Sequence, residues 1–215
     1  MVKNNIFMGD ENMKLKKLFA GLATGIMVIG LIGCGNNSDK LQEKLKANLE
    51  IVELRDYEDG TIKDHFTKEE YEKVRKQCDA ANAPDFLEIM AEYGPENGQR
   101  IIDALKKRVQ SVEYEIIKKS EESDKIVFTI KSQAMDAGEL EKIIQSKFDK
   151  YSEDDNFENK KLEEIQKDVA DMIVRAYEEA PTKETENEIT YTKKDGAWNP
   201  DTNFSNITEK IYTAE

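Results

Sequence analysis

Val112–Ser132 reads VEYEIIKKSEESDKIVFTIKS. Val112, Tyr114 and Ile116 alternate with Glu113 and Glu115, so an extended chain here buries one face and wets the other. Residues 119–124 (KSEESD) are a charged loop, and Ile126, Phe128 and Ile130 alternate again behind it. The stretch predicts an antiparallel hairpin with a loop longer than the tightest type. A second run, Glu188–Trp198 (EITYTKKDGAW), repeats the pattern with Ile189 and Tyr191 between Glu188, Thr190 and Thr192. Its Asp195-Gly196 pair is a strong two-residue turn signal. That turn sets Trp198 opposite Lys193 and diagonal to Tyr191 on one face. Asn199-Pro200 is expected to end the pairing, since proline has no N–H to give.

On either side of the first hairpin the period changes from two to nearly four. Leu41, Leu45, Leu49 and Val52 share one helical face. Asp59-Gly60 marks a turn, and Thr67-Lys68-Glu69-Glu70 is a capping box ahead of Tyr71, Val74 and Cys78. Pro84 is expected to open a new helix carrying Phe86, Leu87, Ile89, Met90 and Tyr93, which Gly94-Pro95 closes. Ile101, Ile102, Leu105 and Val109 suggest one more. Between the hairpins, from Asp136 to Ala180, Leu140, Ile143, Ile144, Phe148 and Tyr151 form one amphipathic face. After the break SEDDN (residues 152–156), Leu162, Ile165, Val169, Met172, Ile173 and Tyr177 form a second, ended by Pro181. Phe204, Ile207 and Ile211 suggest a short closing helix. The fold class predicted is α+β, with N-terminal helices packed on a curved antiparallel sheet and a two-helix insertion between two β-hairpins.

The N-terminal part carries an address. Met13–Cys34 reads MKLKKLFAGLATGIMVIGLIGC, with a basic head at Lys14, Lys16 and Lys17 and an apolar run from Leu18 to Ile32. Fifteen apolar residues are short for a spanning helix and suit a cleavable signal peptide. The run ends in a lipobox, Leu31-Ile32-Gly33-Cys34, which makes the Cys34 thiol the expected lipid acceptor, with palmitate-type acyl chains as membrane anchor. Residues 1–12 lack periodicity and are expected to be extraneous, with the start at Met13 or at Met1. Residues 13–33 are then the signal peptide, 34–40 (CGNNSDK) a flexible lipidated tether, and 41–215 a single α+β domain.

Charge and cysteine usage agree with that address. The chain holds 32 basic and 45 acidic residues. Losing residues 1–33 removes four of the former and two of the latter, so the mature chain is at −15. Such a domain repels phosphates, so nucleic acid is excluded as a partner, and it is not drawn to anionic lipid by charge. With Cys34 consumed by lipid, Cys78 is left alone and no intramolecular disulfide can form. Its spacing from Tyr71 and Val74 makes Cys78 a core residue rather than a nucleophile. One histidine, His65, and so few thiols leave no usual zinc set, and no metal or cofactor site is expected. The acidic run 149–158 (DKYSEDDNFE) fails the EF-hand spacing at Tyr151 and Glu153 and reads as a solvated loop.

The element order, with a lipobox, helices, a hairpin, two helices and a last hairpin ending Lys-Asp-Gly-x-Trp, resembles a family of uncharacterised lipoproteins of low-GC Gram-positive bacteria. Val112–Ser132 and Glu188–Trp198 carry the likeness, which covers the chain from about Leu41 onward. The resemblance implies a cystatin-like cone, akin to nuclear transport factor 2, in which a curved sheet wraps helices and often leaves a cavity. It implies no activity. Ala197 and Asn199-Pro200 depart from the family's Asp-Gly-Lys-Trp-Lys-Ile pattern, which puts the length of the last strand in doubt.

Function is expected to be binding rather than catalysis. No spacing singles out a catalytic carboxylate, and alternation puts Glu113 and Glu115 on the wet face. Tyr114, Phe128, Tyr191 and Trp198 are the candidate lining of a cavity for a peptide, protein segment or small apolar ligand, or else plain core. The expectation is a non-enzymatic, lipid-anchored envelope protein on the outer face of the cytoplasmic membrane. The alternatives are a peptide- or solute-binding receptor accessory to a transporter, and a small cone-fold enzyme. The enzyme would need a desolvated carboxylate facing a tyrosine in a closed pocket.

Overall fold

Alternating runs pair because each has one face to hide. In the computed structural model, which describes residues 38–154, 156–200 and 204–214, β1 (Tyr114–Glu121) and β2 (Lys125–Asp136) form the first hairpin. Tyr114 faces Ser132 and Ile116 faces Ile130. The charged loop is shorter than residues 119–124, because β1 continues to Glu121 through an irregularity at Lys119. β3 (Thr182–Lys194) lies antiparallel on the other side of β2, with Phe128 opposite Ile189 and Ile126 opposite Tyr191. β4 (Ala197–Pro200) completes the order β1-β2-β3-β4, and the two-residue strand β5 (Thr213–Ala214) runs parallel to the end of β2.

The Asp195-Gly196 hairpin has the expected register, with Trp198 opposite Lys193. Asp195 and Gly196 sit at φ 52° and 80°, the left-handed geometry of the turn that matches strand twist. Two strand ends differ from expectation. Pro200 still pairs, opposite Tyr191, because it occupies an edge strand, where a missing N–H is tolerated. β3 begins six residues before Glu188. Its first half, TKETEN, lacks apolar alternation because the face it turns inward meets backbone carbonyls. Thr185 Oγ1 and Asn187 Nδ2 both donate to the Lys210 carbonyl, and Ser132 Oγ on β2 donates to that of Ile211.

The helices are α1 (Ser38–Val52), a single turn α2 (Ile62–His65), α3 (Lys68–Tyr93), α4 (Pro95–Gln110), α5 (Ala137–Ser152), α6 (Leu162–Glu179) and α7 (Phe204–Tyr212). The expected tether 34–40 is corrected at its end, since Ser38–Lys40 are helical. Ser38 is held there by hydrogen bonds to Glu121 and from Lys118. Cys34, the signal peptide and residues 1–12 lie outside the described residues. The Thr67 capping box forms as read, Thr67 Oγ1 accepting from the Glu70 N–H and Glu70 accepting from that of Thr67. Pro84 does not start a helix; it lies inside the continuous α3. Pro84 and Ala80 are both exposed, so the carbonyl that loses its N–H partner is on the wet side. Gly94, at φ 82°, makes the corner into α4. A Cβ on Gly98 would stand 2.8 Å from the Met90 Cα, so glycine there permits the close crossing of α3 and α4.

α1 and α7 cover one face of the sheet. α4 packs between α3 and α6, and α5 packs on α6, so the insertion joins a helical layer beside the sheet. Buried apolar side chains from α1, α3, α4, α6 and the sheet form one continuous cluster. Cys78 is part of it, and burial pushes its thiol up to about 11. The acidic link between α5 and α6 closes on itself. Tyr151 Oη donates to Asp168 at 2.9 Å, Lys160 Nζ reaches the same oxygen at 2.9 Å, and Phe157 stands edge-on to Tyr151. Among the described residues no three His, Cys, Asp or Glu side chains converge to hold a metal ion. Nor is any described helix long and apolar enough to cross a membrane.

Candidate functional site

The strongest chemical constellation grows out of the α1 stripe. Leu41, Leu45 and Leu49 repeat at four residues, and the next position is Glu53. The apolar face thus ends in a carboxylate that is 1% exposed. Tyr212 Oη donates to Glu53 Oε1 at 2.9 Å, and Arg55 Nε pairs with Oε2. The Tyr114 hydroxyl adds a weaker polar interaction with the same carboxylate. The surrounding backbone is tied in by the same side chains. Gln110 Nε2 donates to the Glu53 carbonyl, Arg55 Nη2 to that of Gln110, and Tyr71 Oη and Arg75 Nη1 to that of Arg55. Here α1, α3, α4, β1 and α7 meet around one buried charge.

Desolvation raises the Glu53 carboxyl above its ordinary 4.5, outweighing the donors from Arg55, Tyr212 and Tyr114. Burial, and then the negative Glu53, push the Tyr114 and Tyr212 hydroxyls upward, so both stay protonated and serve as donors only. A carboxylate with both oxygens engaged and almost no exposure offers nothing to a substrate. The cluster is arranged as a clamp. A second buried acid, Glu50, is spent similarly: its Oε2 accepts from the Thr61 N–H and hydroxyl, 2.7 and 2.9 Å away. Its carboxyl lies where a Cβ on Gly60 would be, 2.6 Å off, and Gly60 sits at φ 59°.

The sequence-predicted lining residues come together. Tyr114, Phe128, Tyr191 and Trp198 stand on β1, β2, β3 and β4 and, by register, on the one face that α1 and α7 cover. Phe128 and Tyr191 are wholly buried, ring to ring at 6.1 Å and 77°. Trp198 is buried with Lys193 Nζ 5.7 Å from its ring centre. Tyr114 belongs to the Glu53 cluster instead. Sequence reasoning missed Glu53, Arg55 and Tyr212. The available signal was the carboxylate continuing a leucine stripe at spacing four.

A groove of about 350 Å³ runs between the free edge of β3 and the end of α7, lined by Lys183, Thr185, Asn187, Glu209, Lys210 and Thr213. A shallower one follows the outer face of α5 past Glu141, Gln145 and Asp149. None of the four aromatic residues lines either groove.

No family model matches this chain, and no curated protein does. Among solved structures it is similar to YcdA of Bacillus subtilis, a protein assigned as a lipoprotein, with a TM-score of 0.57 at 17% identity. The match covers 83% of this chain and 58% of that one, so the chain spans under two thirds of its neighbour's length. The chain shares an α+β fold with a Gram-positive protein assigned as a lipoprotein.

Proposed function

We propose that this protein is a lipid-anchored, non-enzymatic binding module on the outer face of the cytoplasmic membrane. The observation that carries the proposal is the Met13–Cys34 stretch, with its basic head, short apolar run and lipobox. The shared fold with YcdA, a chain assigned as a lipoprotein, supports it. The cystatin-like cone is part of the same reading. It is supported by a sheet covered on one face by helices and by an insertion between two hairpins. The polar groove between β3 and α7 is the surface that would receive a peptide or protein segment, since the edge of β3 before Tyr191 is paired by no described strand and offers backbone hydrogen bonds. The binding reading is supported by the Glu53 carboxylate being 1% exposed and engaged by Arg55 and Tyr212.

Metabolic labelling with a fatty-acid analogue tests the anchor. The wild-type chain should take up label and Cys34→Ala should not. Equal labelling of the two would overturn the proposal.

A further inference from the structure

We infer that the end of the sheet bearing the two hairpin turns, Glu122–Asp124 and Asp195-Gly196, is the surface that faces the lipid headgroups. The inference rests on the anchor at Cys34 and goes on to say how the domain stands on it. α1 runs antiparallel to β1. Its first residue, Ser38, is hydrogen-bonded to Glu121 and Lys118 at the turn end, Gln42 Nε2 donates to the Ile116 carbonyl midway, and Glu53 meets Tyr114 near the other end. Both turns lie at the Ser38 end, because Lys125 pairs with Thr192 and Lys193 N–H donates to the Asp124 carbonyl.

Only residues 35–37 separate Ser38 from Cys34. Four chain steps span at most about 14 Å, so a lipid on Cys34 keeps the Ser38 end within that distance of the membrane surface. The fifteen residues of α1 carry the chain about 22 Å away from that end. A domain on so short a leash can still lean, and charge decides how. Residues 118–125 and 193–196 hold five lysines and four carboxylates, and Lys118 and Lys119 also pair with Asp39 and Glu188, so this end is close to neutral whereas the mature chain as a whole is at −15. An anionic headgroup layer repels the acidic bulk more than the nearly neutral turn end, so the upright posture is favoured. The groove between β3 and α7 is then presented away from the membrane, because Lys183 and Thr185 pair with Ala134 and Ser132 at the far end of the sheet.

The test uses the full lipidated chain in vesicles containing phosphatidylglycerol and a headgroup-nitroxide lipid. A fluorophore is placed on Ser123→Cys in the first turn or on Lys183→Cys at the far end. Cys78 stays silent because it is 2% exposed. Quenching should be severalfold stronger at position 123 than at 183. Inserting a flexible Gly/Ser segment of roughly 20 residues before Ser38, about 25 Å of root-mean-square reach, should bring the two toward equality while the chain still floats with the vesicles. Equal or reversed quenching in a chain that co-floats would overturn the orientation and leave the anchor standing. A chain that does not co-float would overturn both.

Discussion

Glu53 shows how one buried charge can tie several elements of a fold together. Its position continues the leucine stripe of α1, so the helix's own geometry drives the carboxylate into the core, and Arg55, Tyr114 and Tyr212 then neutralise and satisfy it. Tyr212→Phe removes the donor to Oε1 at a site with almost no water. It should lower the unfolding free energy by about 1–3 kcal/mol, read as a lower urea midpoint at unchanged slope. The pH dependence has a definite sign. Because the folded value of Glu53 lies above 4.5, the folded state holds this proton more tightly than the unfolded chain does. Its contribution is fully present below pH 4.5 and is lost as pH rises through the folded value. The stability of wild type relative to Glu53→Gln, measured by urea unfolding from pH 4 to 8, should therefore fall with rising pH. A rise would mean that pairing with Arg55 outweighs desolvation.

At the level of elements, what was legible in the sequence was whatever used apolar side chains or turn chemistry. The Asp195-Gly196 register, the Thr67 capping box and the leucine face of α1 are all local signals with a physical cause, and the structure carries them out. Two elements were misread because the deciding partner is remote. The first half of β3 is polar since it meets the carbonyl end of α7, not hydrocarbon, so its strand character has no hydrophobic signature. Pro84 reads locally as a helix start. α3 continues through it because Tyr71, Val74 and Cys78 before it and Ile89 and Tyr93 after it are buried in the same core, while the proline stays outside. If so, Pro84→Ala restores a hydrogen bond without disturbing packing, and thermal unfolding should report a gain of about 1–3 kcal/mol. A loss would mean that the proline sets a bend the core requires.

For the molecule as a whole, the sequence concentrates its localisation signal in one stretch and scatters the residues of its buried polar cluster. Tyr114, Phe128, Tyr191 and Trp198 share a sheet face, where Phe128, Tyr191 and Trp198 are buried and Tyr114 lies beside Glu53. Glu53 itself escaped notice because an acid among acids carries no pattern until α1, α4, β1 and α7 converge on it. The groove at the β3 edge was equally hidden, being built from residues far apart in sequence. The address, by contrast, is written in one stretch, and its consequence can be weighed directly. Mass spectrometry of the N-terminal peptide of the membrane-extracted protein should find a chain that begins at Cys34 and carries a diacylglyceryl adduct. An unmodified peptide running through Gly33 into Cys34 would contradict the lipid-anchored reading.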